Sequence, residues 1–166
     1  MPCTSSPCNR DYHCDLCVEP VDVDAFKKSH PDDLIVDLDI RKMTKMWPVP
    51  LGTIWERVLS PIRPSEIRAA ASRLKLGEGA KAYRPMVDHL IWTRWDHIRR
   101  AAYLMVHGWP DAIDVDVGVP ALGDDTHWPV CEGNHRLLAA LARGDKSIRA
   151  SVSGDEALIE KLRWRL

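Results

Sequence analysis

The stretch Val130-Cys131-Glu132-Gly133-Asn134-His135-Arg136-Leu137-Leu138-Ala139-Ala140, continued by Gly144-Asp145 and Ile148-Arg149-Ala150-Ser151-Val152, decides the fold. Its periodicity predicts a strand, a glycine turn, a helix and a second strand over residues 131–152. Trp128-Pro129-Val130-Cys131 is the first strand candidate. Leu137, Leu138, Leu141 and Ala142 share one helical face, and Gly144 is a natural stop. Ile148, Ala150 and Val152 then alternate with polar residues, as a one-sided strand requires.

The turn Glu132-Gly133-Asn134-His135-Arg136 has chemistry of its own. Gly133 permits a sharp strand-to-helix turn and the close approach of a ligand. The residues after it open a helix, so their free N–H groups and the positive dipole end converge on one spot. Arg136 can fork onto two phosphate oxygens, and the N–H groups from Gly133 onward can cradle them. Asn134 and His135 can donate hydrogen bonds, His135 can move a proton, and Glu132 can hold a metal ion or a water. A plainer reading uses the same residues: Gly133 only turns the chain, Arg136 is a surface charge and His135 a helix cap.

Outward from this stretch, Leu34, Val36, Leu38 and Ile40 alternate with Asp37 and Asp39 and predict a strand. Residues 51–59 are apolar without a decisive period. A helix is expected over 65–76, with Pro64 in its first turn and Gly77 as its stop. A longer helix over about 85–107 is expected to bury Val87, Ile91, Trp95, Ile98, Ala102 and Met105 and to end at Gly108 and Pro110. Ile113, Val115, Val117 and Val119 predict a further strand, and Asp155 and Glu156 open a last helix. The expected fold is α+β, a small mixed sheet flanked by helices over residues 34–166, preceded by a cysteine-bearing tail over 1–33.

The chain has 166 residues, enough for one compact domain. Its 23 basic and 24 acidic side chains nearly cancel, so any grip on nucleic acid has to come from a local patch. No apolar run approaches the roughly 18–20 residues needed to cross a bilayer, and the polar N-terminus is not a secretory signal. A cytoplasmic location is expected, where thiols stay reduced. Most of the seven tryptophans are expected in the core or against partners.

Residues 113–153 resemble the core motif of the ParB/sulfiredoxin superfamily, whose pattern is an acidic residue, Gly, two polar residues, Arg, an Ala-rich helix, a Gly and a strand. The resemblance implies a ParB/sulfiredoxin-like fold and a nucleotide triphosphate, ATP or CTP with Mg²⁺, bound at Gly133, Asn134, His135 and Arg136. It further implies a phosphohydrolase or phosphotransferase in which Glu132, His135 and Arg136 are the catalytic set. Sulfiredoxins carry their catalytic Cys directly before the His-Arg pair. Here Asn134 holds that place and Cys131 lies three residues earlier, so sulfinic-acid reduction is not expected. The helix-turn-helix domain of the partition proteins has no room before Leu166, which implies a stand-alone nucleotide-binding core. Other superfamily members are nucleases, and a metal-dependent DNA nuclease is the second reading. A non-catalytic module, switched by nucleotide and docking a protein partner, is the third.

Further candidates stand beside the turn. Cys3, Cys8, Cys14 and Cys17, with His13 nearby, could wrap a structural Zn²⁺, or form a reduced tail. Asp114 with Asp116, and Asp37 with Asp39, could hold Mg²⁺ or simply face water. Asp124 and Asp125 precede the turn, while Lys81 and Arg84 could reach a phosphate. Arg94, His97, Arg99 and Arg100 give the long helix a basic edge that reads as a solvated face.

Overall fold

The computed structural model describes residues 34–47, 54–55, 58–75, 77–88, 90–118 and 128–165. In chain order these form β1 (Leu34–Asp39), α1 (Ile40–Met46), α2 (Pro64–Ala71), α3 (Pro85–Asp88), α4 (Arg94–His107), β2 (Ile113–Asp116), β3 (Val130–Glu132), α5 (Asn134–Arg143), β4 (Ser147–Ser153) and α6 (Glu156–Leu162). The fold is α+β, with one mixed four-stranded sheet in the order β1-β4-β2-β3. β4 runs antiparallel to β1 and parallel to β2, and β2 runs antiparallel to β3.

Period-two burial sets the register. Ile113, Val115 and Val117 point into the core beside Ile148, Ala150 and Val152, while Asp114, Asp116 and Arg149 are exposed. Val115 pairs with Val130 but Asp114 pairs with Glu132, which leaves Cys131 as the extra residue of a bulge.

Helix α5 joins two cores. Leu137 and Ala140 pack with the sheet, α1 and α6, whereas Leu138 and Ala142 pack with Ile67 and Ala70 of α2 and Ile98, Ala101 and Ala102 of α4. A helix apolar on two sides is a buried one, and the Leu-Leu-Ala-Ala run is what permits it. Gly144 then caps α5 in the left-handed conformation, its N–H donating to Ala140 and Leu141 carbonyls.

Three expectations are corrected. The alternation through Ile40 ends one residue early, because the Asp39 carboxylate caps α1 by accepting the Lys42 N–H at 3.0 Å. The helix expected over 65–76 stops at Ala71, where the Ser72 hydroxyl turns back to the Ala69 carbonyl at 2.9 Å. The helix expected over 85–107 is two helices. Thr93 and Asp96 form a capping box, the Thr93 N–H donating to the Asp96 carboxylate at 2.7 Å, and this restarts the chain as α4. Its phase differs from the expected one: Val87, Ile91 and Trp95 are exposed, and His97, Arg100, Ala101 and Leu104 are buried. Thr93→Ala should cost about 1 kcal/mol, a melting-point loss of roughly 2–4 °C by calorimetry. An unchanged melting point would assign the break to something other than this cap.

Candidate functional site

Among the described residues three places carry chemistry: the glycine turn, a histidine–aromatic cluster beneath it, and the acidic face of β2.

At the turn, Gly133 adopts φ +91° and ψ 17°, a left-handed geometry that side chains disfavour. A Cβ there would lie 2.5 Å from Ile113 Cγ2, so the space freed by the missing side chain is filled by β2, not by a ligand. Asn134 is pinned: its Oδ1 accepts from Trp128 Nε1 at 2.8 Å and its Nδ2 donates to the Val130 carbonyl at 3.1 Å. Arg136 is buried, with one guanidinium nitrogen donating to the Ala112 carbonyl and the other to Glu132 Oε1 at 3.0 Å. The side chain expected to clamp phosphate is thus turned inward, and it ties α5 to β2 and to Glu132. Glu132 itself remains open, with its side chain 75% exposed. The first intrahelical hydrogen bond of α5 runs from the Leu137 N–H to the Gly133 carbonyl at 2.9 Å. The N–H groups of Asn134, His135 and Arg136 precede it, at the positive end of the helix.

His135 points into the molecule, not toward the mouth of the turn. Its Nε2 lies 2.9 Å from His97 Nδ1 of α4, and the two rings are parallel within 9°. Trp55 stacks on both, with centroids 4.1 Å from His97 and 4.4 Å from His135. Tyr83 and Trp92 present their edges and flanks to the pair. Burial pushes His97 down to about 4 against the opposing pull of Asp96 and Asp88. Burial also holds His135 well below the usual imidazole range, reinforced by His97, Arg100 and Arg136. Both rings are neutral at pH 7, so one nitrogen donates and the other accepts across the 2.9 Å contact. An imidazole so placed is a poor proton carrier for a ligand at the turn.

Beside this cluster Asp88 is fully buried, accepting from the Arg84 N–H at 2.9 Å and from Lys81 Nζ at 3.3 Å. Lys81 and the Arg84 backbone are therefore engaged by Asp88. Of the expected basic edge, His97 and Arg100 are buried, Arg94 pairs with Glu66 at 2.7 Å and Arg99 with Glu78 at 2.9 Å. Arg100 anchors the preceding loop by donating to the Ala80 carbonyl at 2.8 Å.

On the open sheet face, Asp114 and Asp116 are exposed beside Cys131, and Asp116 accepts the Gly118 N–H at 2.9 Å. Desolvation, then the Asp114 and Asp116 charges, hold the Cys131 thiol above its usual range, which makes it a weak nucleophile at neutral pH. Asp37 is exposed and Asp39 is spent as the α1 cap. Among the described residues no three His, Cys, Asp or Glu side chains come together as a metal-ligand set. Cys3, Cys8, Cys14, Cys17 and His13, together with Asp124 and Asp125, lie outside the described residues.

No protein-family model, curated protein or solved structure matches the chain. Among the described residues no helix is long and apolar enough to cross a membrane.

The histidine pair and Trp55 were missed by sequence reasoning. The available signal was Thr93-Arg94-Trp95-Asp96, a capping-box spacing that resets the helical phase and turns His97 inward.

Proposed function

We propose that this chain binds a nucleotide, ATP or CTP with Mg²⁺ being the leading class, at the N-terminal end of α5, as a ParB/sulfiredoxin-like protein. The observation that carries the reading is the start of α5 itself. A left-handed glycine ends β3, and three N–H groups precede the first intrahelical hydrogen bond of a buried helix. Phosphate oxygens would be held by those N–H groups, with the Arg136 charge lying behind them instead of forking onto the ligand. Glu132, the exposed acid of the turn, is the residue that would hold Mg²⁺ on the phosphates or orient a water. The reading is one of binding first. Hydrolysis or transfer would rest on Glu132, because His135 is neutral, buried and bonded to His97.

The test is ligand-stabilised melting of the full chain with ATP, CTP, GTP and UTP, with and without Mg²⁺, together with hydrogen exchange. A nucleotide at one hundred times its Kd should add about 2.7 kcal/mol, a shift of roughly 5–10 °C. Exchange of the amides of residues 133–137 should slow, and Arg136→Ala should shrink the ligand-induced increment. If no nucleotide shifts the melting point at millimolar concentration, the reading is lost.

A further inference from the structure

His97 and His135 face each other head-on. Their facing nitrogens, Nδ1 of His97 and Nε2 of His135, are 2.9 Å apart, the ring centroids are 5.2 Å apart, and the planes agree within 9°. The difference of about 2.3 Å is twice the distance from an imidazole centroid to its own nitrogen, so both nitrogens lie on the line that joins the centroids. The rings are therefore close to coplanar, and their in-plane lone-pair directions point at one another.

Trp55 covers this contact. Its ring centroid is 4.1 Å from that of His97 and 4.4 Å from that of His135, which places it about 3.4 Å from the midpoint between the two nitrogens. An aromatic face at that height attracts positive charge. The ionised groups around the pair limit how much. Asp96 and Asp88 favour a positive charge on His97, whereas Arg100 and Arg136 oppose one on His135. The place suits a single charge and no more.

We propose that His97 Nδ1 and His135 Nε2 bind one monovalent ion with a filled d shell, Cu⁺ or Ag⁺, in linear two-coordination beneath Trp55. Imidazole is a good ligand for copper, and two nitrogens on one line match the low coordination number that such ions accept. A structural Zn²⁺ takes four ligands, and among the described residues no three metal-ligating side chains come together. Metal–imidazole bonds of about 2 Å put the nitrogens about 4 Å apart, roughly 1 Å wider than the hydrogen bond they replace. The rings sit on separate helices, α4 and α5, so each has to give only half of that. Two nitrogen–metal bonds form and one N–H···N hydrogen bond is lost, its proton passing to the far nitrogen of the same ring. Burial keeps both rings neutral at pH 7 and keeps water from adding as a third ligand. The site does not rest on a nucleotide at α5, because His135 points away from the mouth of the turn.

The test uses the full chain with its five cysteines alkylated, so that thiolates do not compete for the ion. Ag⁺ is the probe, added as the nitrate in chloride-free buffer at pH 7.5. Native mass spectrometry should find one ion retained per chain, and His97→Phe/His135→Phe should retain at least about tenfold less. Carbon–proton NMR of the histidine rings in the unsubstituted chain gives a readout that needs no variant. The Cε1–Hε1 signals of His97 and His135 should move with one equivalent of Ag⁺, while those of the other five histidines stay. Equal retention in the two proteins overturns the proposal, as do shifts confined to the other histidines. So does a chain that retains no ion at micromolar Ag⁺.

Discussion

Gly133→Ala should destabilise the chain by about 3 kcal/mol and lower its melting temperature by roughly 6–12 °C, although it adds a single methyl group. Two costs combine. A left-handed conformation disfavours any Cβ by about 1–2 kcal/mol, and Gly133 stands at φ +91°. The new Cβ would also sit 2.5 Å from Ile113 Cγ2 and 2.7 Å from Ile113 Cβ, at the base of β2. Ile113 is fully buried, so it cannot swing aside without disturbing the sheet core. The two costs separate in a double variant. Ile113→Leu removes the γ2 carbon but keeps Cβ, so Gly133→Ala/Ile113→Leu should recover part of the loss and leave the conformational share. Denaturant melts of the four proteins decide it. A Gly133→Ala protein within 1 kcal/mol of wild type would mean that the β3–α5 turn relaxes freely, and would undercut the proposal that it is a rigid phosphate seat.

That position also shows how far sequence reading carried. The strand–Gly–helix–strand path over 131–152 was legible because each part has a strong local signal. Val130 and Ile148, Ala150 and Val152 alternate, Leu137 to Ala142 repeat helically, and Gly133 and Gly144 punctuate. The direction of each side chain was not legible, because it depends on partners distant in sequence. Arg136 reads as a phosphate fork until the Ala112 carbonyl, twenty-four residues away, is placed beside it. His135 reads as a proton carrier until His97, thirty-eight residues away, meets its Nε2. The phase error in α4 has a local origin instead. Counting from Val87 and Ile91 through an assumed continuous helix put Trp95 inside, and the Thr93–Asp96 capping box discards that count. Asp39 was a similar case, a carboxylate read as a metal candidate that satisfies the first turn of α1.

The histidine pair gives the second large effect, and it appears on acidification. Burial holds His97 at about 4 in the folded chain against 6.5 for a free imidazole, and His135 is lowered too. Between these values the unfolded chain takes up protons that the folded chain refuses. The stability associated with the neutral pair is therefore complete above about pH 6.5 and is lost as the pH falls toward about 4. For His97 alone, going from pH 7.5 to 4.5 should remove about 2.5 kcal/mol, a fall in urea midpoint of about 1–2 M. Asp88 and Asp96 favour the proton on His97, whereas Arg100 and Arg136 oppose it on His135, so the pair resists a charge from the α5 side most strongly. Substituting both rings tests this without stranding either one. His97→Phe/His135→Phe keeps two flat rings against Trp55 and removes donor and acceptor together, which leaves no orphaned nitrogen in the core. The double variant should stay within about 1 kcal/mol of wild type at pH 7.5 and lose markedly less stability by pH 4.5. Equal losses in the two proteins would move the acid sensitivity to other groups, and would leave the pair as packing alone.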